Sequence, residues 1–197
     1  MPLWREQNQK ETMMKNRIYT TERIILKVLD HSSAQSVLDY YLRNRSFLEE
    51  WEPVRSEEFY TLAYHEVQLE KDQTLMENKS GLRLWMFKKN EENKIIGSIG
   101  FNNIVWGAFL SCHLGYKLDK DEINRGYMTE AIEKGINIVF DDYGLHRIEA
   151  NIIPRNKQSR RVVEKLGFYN EGLACKYLKI NGIWEDHIHF VLLNDKV

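Results

Sequence analysis

The chain has little of what would mark it for several common tasks. Only 2 of its 197 residues are cysteine, Cys112 and Cys175. Neither belongs to a C-x-x-C pair or a metal-ligand spacing, which argues against a disulfide framework and against a structural metal site. Two reduced thiols fit a cytoplasmic setting. Proline is scarce, at 3 residues, and no repeat, low-complexity tract or Pro/Gly/Ser-rich linker divides the chain. Neither charge is in surplus: 28 Lys and Arg stand against 29 Asp and Glu, a formal net charge of -1. A global polyanion-binding surface is therefore not expected, and neither is direct contact with nucleic acid. No apolar run approaches the ~20 residues of a membrane span, and the first residues lack the apolar block of a signal peptide.

What remains is the composition of a globular domain, with 43% hydrophobic and 29% charged residues. Residues 1–16 are polar and non-periodic and read as a flexible N-terminal arm; residues 17–197 read as one mixed α/β domain. Thr21 to Leu29 alternates as a strand. Asp30, Ser32 and Ser33 are N-cap candidates for a helix whose apolar face is Ala34, Val37, Leu38, Tyr41 and Leu42. An aromatic loop, Phe47 to Arg55, leads into a polar helix between Glu57 and Met76. Leu82 to Lys88 and Lys94 to Val105 are consecutive strands around the charged run Lys89 to Asn93, and Phe109 to Leu118 is another. Met128, Ala131, Ile132, Gly135, Ile136, Val139 and Phe140 then follow the i, i+3, i+4, i+7 rule of an amphipathic helix. Asn181-Gly182, between Lys176–Ile180 and Trp184–Leu193, signals a two-residue hairpin.

Two junctions carry chemical promise. The strand ending at Leu118 passes through Asp119 to Tyr127 into the amphipathic helix, and a glycine at a helix entry lets backbone N–H groups approach a phosphate. Arg125 adds a charge-assisted contact there; an ordinary strand-to-helix turn is the alternative. The second junction is HRIEANIIPRNKQSRRVVEKLGF, His146 to Phe168. A strand with Ile148, Ala150 and Ile152 stops at Pro154, and Asn156-x-x-Ser159 opens a short helix that Gly167 ends. In α/β folds ligands gather at the carboxyl ends of strands.

With TERIILKVL, FLEEWEPVR, IIGSIGFNN, CHLGYKL, RGYMTEA, HRIEANIIPRNKQS, LGFYNEG and YLKINGIWEDH in this order, the chain resembles the GNAT superfamily of N-acetyltransferases. Within it the RimJ/RimL-type ribosomal-protein N-acetyltransferases are most similar, the RimJ branch above all. The resemblance covers nearly everything beyond the arm. It implies a GNAT fold with a splayed central sheet flanked by helices, acetyl-CoA as co-substrate and no metal. The family's Gln/Arg-x-x-Gly-x-Gly/Ala frame falls on Ile123 to Met128, where only Gly126 matches; Asn124 replaces a second glycine and tolerates left-handed geometry.

By this resemblance the cofactor contacts are Tyr116, Lys117, Leu118, Asn124, Arg125, Gly126, Tyr127, Met128, Thr129, Asn156 and Ser159. Trp51, Glu52 and Asn102 face the acceptor. Ser159 or Tyr177 protonates the CoA thiolate, although Asn156 and Ser159 are equally apt as helix caps and Tyr177 as a sheet aromatic. Glu52 is a candidate for binding or deprotonating the amine, and His113 is another, with a packed sheet histidine as its alternative. The catalytic glutamate of some RimL-type enzymes falls on Leu178 and is not carried over. The implied acceptor is a protein N-terminal α-amino group, a ribosomal protein being the specific expectation, with direct transfer in a ternary complex. A small-amine acetyltransferase and a non-catalytic acyl-CoA-binding module are the competing readings. A homodimer is compatible with all three.

Overall fold

The computed structural model describes residues 17–197, so the expected arm lies outside the described residues. Eight strands form one sheet in the order β1-β2-β3-β4-β5-β6-β8-β7. They are β1 (Ile18–Thr20), β2 (Ile24–Lys27), β3 (Leu82–Lys88), β4 (Glu91–Val105), β5 (Ser111–Leu118), β6 (Arg147–Ile152), β7 (Tyr169–Ile180) and β8 (Ile183–Leu193). Four α-helices accompany them: α1 (Ala34–Leu48), α2 (Leu62–Glu77), α3 (Tyr127–Asp141) and α4 (Lys157–Lys165). The mixed α/β architecture is as the sequence implied.

Each face of the sheet has its own core. On one, Leu84, Met86, Ile99, Phe101, Cys112 and Ile148 pack with Ala131, Ile132 and Val139 of α3. On the other, Ile25, Trp85 and Phe87 lie beneath Val37, Tyr40 and Tyr41 of α1 and Leu69 of α2. The approach of α3 depends on Gly135: a Cβ there would stand 2.7 Å from Ile99 Cδ1 and 2.8 Å from Phe101 Cε2, closer than carbon atoms tolerate.

All neighbouring strands are antiparallel except β5 and β6. Their parallel ladder has only the pairs Ser111–Arg147, Cys112–Ile148 and His113–Glu149. Beyond these, β5 continues against β4 as far as Leu118, while β6 continues against β8 as far as Ile152. The strands therefore part at His113 and Glu149, and among the described residues the edge of β5 from Leu114 to Leu118 has no strand partner on that side. This fork is the expected splay.

Several boundaries differ from the sequence reading for local reasons. The first strand is a small hairpin, β1 and β2, because Thr21 turns the chain by donating its N–H to the Ile24 carbonyl at 3.0 Å. Asp30 caps a short 3-10 turn, and α1 begins at Ala34 and runs to Leu48, so Phe47 and Leu48 leave the aromatic loop for the helix. Leu42 is exposed and Tyr40 takes its place in the buried stripe. The polar helix is divided at Thr61, whose hydroxyl caps α2 through the Tyr64 N–H. The β3–β4 turn shrinks to Lys89-Asn90, since Lys88 pairs directly with Glu91. β5 begins at Ser111, after the left-handed Leu110 at φ 43°.

Candidate active site

The loop from β5 to α3 is shaped from beneath by two buried carboxylates, Asp119 and Glu122. Asp119 accepts hydrogen bonds from Arg43 Nε at 2.8 Å, Asn44 Nδ2 at 3.3 Å and the Asp121 N–H at 3.0 Å. Burial pushes its carboxyl up, but the Asp121 N–H, Arg43 and Asn44 outweigh that and hold it below the ordinary 3.8. Glu122 accepts from Lys88 Nζ at 2.8 Å and from Arg125 Nη1 at 3.1 Å. On this footing the chain turns through left-handed Asn124 (φ 60°) and Gly126 (φ 81°). The N-cap of α3 is Gly126, so no side chain caps the first N–H groups. Such a terminus attracts anions. Behind Gly126 stands Arg23, which donates to the Arg125 carbonyl at 2.9 Å and to Glu130 Oε2 at 2.7 Å and lies over the Tyr127 ring.

The second loop is ordered by side chains. Asn156 Oδ1 accepts the Ser159 N–H at 3.0 Å and caps α4. Ser159 Oγ donates to the Tyr116 hydroxyl at 2.7 Å, and that hydroxyl donates to the Ser159 carbonyl at 2.9 Å. The first turn of α4 is thus tied across the fork to β5. Burial holds the Tyr116 phenol well above its ordinary range, so it stays neutral.

Between these loops lies a cleft of about 330 Å³. Its lining brings together Tyr116, Lys117, Leu118, Asn124, Gly126, Met128, Thr129, Asn156 and Ser159 with Trp51 and Glu52. Five residues singled out from the sequence, Asn102, His113, Arg125, Tyr127 and Tyr177, stand outside this lining. Arg125 turns to Glu122, and Tyr127 lies under Arg23. Asn102 is on β4, in register with His113. Tyr177 sits where β7 bulges against β8, its ring 4.8 Å from that of His189 and its hydroxyl accepting from Asn151 Nδ2 at 3.3 Å. Conversely, Gln158, Arg161, Val162 and Lys165 line the cleft without having been anticipated. Their signal was in the sequence: positions 158, 161, 162 and 165 share one helical face. Arg161 and Lys165 form no ion pair among the described residues, and they add positive charge to the cleft that the uncapped N-terminus of α3 also lines.

Residues 23–169 match the family model described as acetyltransferase (GNAT) domain. The chain belongs to the GNAT acetyltransferase family. It is 36% identical over 169 residues to the [Ribosomal protein uS5]-alanine N-acetyltransferase of Escherichia coli (strain K12), covering 86% of this chain and 87% of that one. It is 35% identical over 171 residues to the Probable N-acetyltransferase YjcK of Bacillus subtilis (strain 168), covering 87% and 94%. Among solved structures, ribosomal-protein-S5-alanine acetyltransferase from Vibrio fischeri superposes with a TM-score of 0.87 at 37% identity, covering 91% of this chain and 97% of that one. The protein is accordingly an acetyl-CoA N-acetyltransferase of the GNAT type, related to the ribosomal-protein acetyltransferases.

In this GNAT enzyme the aromatic loop closes one side of the cleft. Glu52 bonds Lys117 through one carboxylate oxygen and Arg55, at 2.9 Å, through the other. Burial pushes its carboxyl up, yet Lys117 and Arg55 outweigh burial and hold it below the ordinary 4.5. A carboxylate so occupied is a weak base. The loop is tied to the β7–β8 turn, since the Glu52 carbonyl accepts the Asn181 N–H at 2.9 Å. Arg155 completes the bracket: it lies 4.6 Å over the Trp51 ring and reaches Glu50 at 2.8 Å and Glu185 at 2.9 Å.

Proposed function

We propose that the enzyme acetylates the N-terminal α-amino group of a protein, a ribosomal protein in particular, by direct transfer within a ternary complex. Relatedness to uS5-alanine N-acetyltransferase over most of both chains is the observation that carries this reading. Acetyl-CoA supplies the activated acetyl group as a thioester. The uncapped α3 terminus at Asn124 to Thr129, with Arg161 and Lys165 opposite, suits the phosphates of that co-substrate. The unpaired edge of β5 offers backbone partners to its pantetheine amides, and Ser159, positioned by Asn156 and Tyr116, stands ready to donate a proton to the departing thiolate. Neither cysteine lines the cleft, and burial pushes the Cys112 thiol up to about 12, which favours direct transfer over a covalent acetyl-enzyme. A peptide α-amino group ionises near ~8, so a useful fraction is neutral at neutral pH.

Comparing N-terminal acetylomes of cells with and without the enzyme tests the proposal. One or a few ribosomal N-termini should lose acetylation when it is removed. An unchanged acetylome, together with turnover of free small amines by the purified enzyme, would replace the protein acceptor with a small one.

A further inference from the structure

On β5, Ser111, His113, Gly115 and Lys117 share the face opposite Tyr116 and the helix α4 it is tied to. This is the face of α1 and α2; their apolar core takes in β2, β3 and β4, and α1 meets β5 at Lys117, whose Nζ donates to the Tyr41 hydroxyl at 3.3 Å. At Gly115 it is bare: the residue is exposed, and a Cβ built there has no atom within 4 Å. Gly100, directly across on β4, adds no side chain either, although the Asn102 amide and the Arg83 guanidinium, paired with Asp72 at 3.0 Å, border it. With a strand rise of ~3.3 Å per residue, His113 and Lys117 bound a gap of about 13 Å, room for an amine and the residue that bears it. The gap adjoins the fork, on the side away from α4.

His113 is the accessible group at its inner end, with 42% of its side chain exposed. Its Nε2 lies 3.4 Å from Glu149 Oε1, the last registered pair before the strands part, and its Nδ1 lies 3.4 Å from Asn103 Nδ2. A carboxylate at Nε2 favours the tautomer protonated there, so Nδ1 is an acceptor, engaged at 3.4 Å by the exposed Asn103 amide, a long hydrogen bond that an incoming amine displaces. Glu149 is itself held by Arg147 at 2.8 Å, Asn151 at 3.0 Å and His189 at 3.3 Å. Burial pushes Glu149 up, but Arg147, Asn151 and the two histidines outweigh it, so it remains an orienting anion. Glu171 pairs with Arg147 from β7, Tyr177 meets His189 edge-to-face, and His187, pushed down by burial, lies 5.5 Å from the Tyr177 ring. Asn151 Oδ1 and His189 Nε2 are buried without partners among the described residues, an arrangement more costly than packing alone requires.

We infer that the acceptor amine enters over Gly115, from the side of the sheet away from α4, and that His113, oriented by Glu149, takes its proton. This deepens the acetyl-transfer reading and rests on it. The ammonium proton passes to His113 Nδ1 and then to solvent. The freed nitrogen lone pair forms the C–N bond as the thioester C–S bond breaks, the thiolate takes its proton from Ser159, and the second amine proton restores the Ser159 hydroxyl.

The test uses the full chain with 15N-labelled histidine, loaded with CoA so that no turnover occurs. A pool of decapeptides with free N-termini should shift the His113 ring signals, whereas the same peptides acetylated at the N-terminus should not. Gly115→Val places its side chain in open space and should fold. It should leave acetyl-CoA affinity within about twofold, abolish the His113 response and raise the peptide KM at least about tenfold. His113→Gln should lower kcat about 100-fold and flatten the acidic limb of the pH–rate profile. Glu149→Gln should move that limb to lower pH, which a purely structural role would not do. Unmoved His113 signals at saturating peptide, or an unaltered peptide response in Gly115→Val, would overturn the inference. Failure of the acetyl-transfer reading would look different: His113 would respond to free N-termini while acetyl-CoA gave no acetylated peptide.

Discussion

The two loops that enclose the cleft reach their shapes by opposite means. The stretch from Asp119 into the first turn of α3 departs from its family frame at Ile123, Asn124 and Met128, yet keeps left-handed backbone at Asn124 and Gly126 above two buried carboxylates. The loop from Pro154 to Ser159 is organised by side chains, with Asn156 capping and Ser159 hydrogen-bonded to Tyr116. A site presented by main-chain N–H groups is specified by φ and ψ and tolerates changes of side chain that preserve them. A site presented by a hydroxyl tolerates almost none. A motif comparison therefore weighs most heavily against the loop that is chemically more forgiving.

Breaking the first loop should have the largest effect. Gly126→Glu places a non-glycine residue at φ 81° within 3.2 Å of Arg23 Nη2 and adds a carboxylate at the proposed phosphate site. Acetyl-CoA affinity measured by calorimetry should fall at least about 100-fold, roughly 3 kcal/mol. Retained affinity would mean that the phosphates bind elsewhere. Ser159→Ala should act on chemistry: kcat should drop about 10- to 100-fold while acetyl-CoA affinity changes little. Loss of thermal stability with normal kcat would return Ser159 to a packing role.

Acid should separate the loops next. Asp119 is held below its ordinary 3.8, so its contribution to stability is complete above that value and is lost as pH falls through its lower folded value. Asn156 has no charge to lose. NMR amide signals of residues 119–126 should therefore move or broaden below about pH 3.8 before those of 156–159 do. Simultaneous loss would show that global unfolding comes first. The smallest effect belongs to Asn124→Gly. Relieving left-handed backbone should leave acetyl-CoA affinity unchanged and raise stability by no more than about 1 kcal/mol; a marked loss of affinity would show that the Asn124 side chain is itself a ligand.

Much of this was visible in the residues. The stripe from Met128 to Val139 is buried as its period requires, because one helix meets one sheet face and local spacing suffices. The alternation of Ile148, Ala150 and Ile152 and the Asn181-Gly182 turn, with φ 43° and 80°, were equally plain. By contrast, β7 extends back to Tyr169 through residues exposed almost throughout, so no periodic pattern marked it as a strand. Arg23 behind Gly126 was hidden because the two lie in distant parts of the chain. The cluster around Glu149 was hidden for the same reason, since it draws His113 from β5 and His189 from β8.

The amino-acid order alone determined the local events: which segments alternate, where helices begin and which glycine or asparagine turns the chain. These depend on neighbours a few residues apart. The tertiary structure decided the fork, which arises where β6 leaves β5 and continues against β8. Strand pairing of that kind is a competition between distant segments for the same backbone groups, and no local pattern records its outcome. The cleft, the bare face at Gly115 and the pairing of His113 with Glu149 all follow from it.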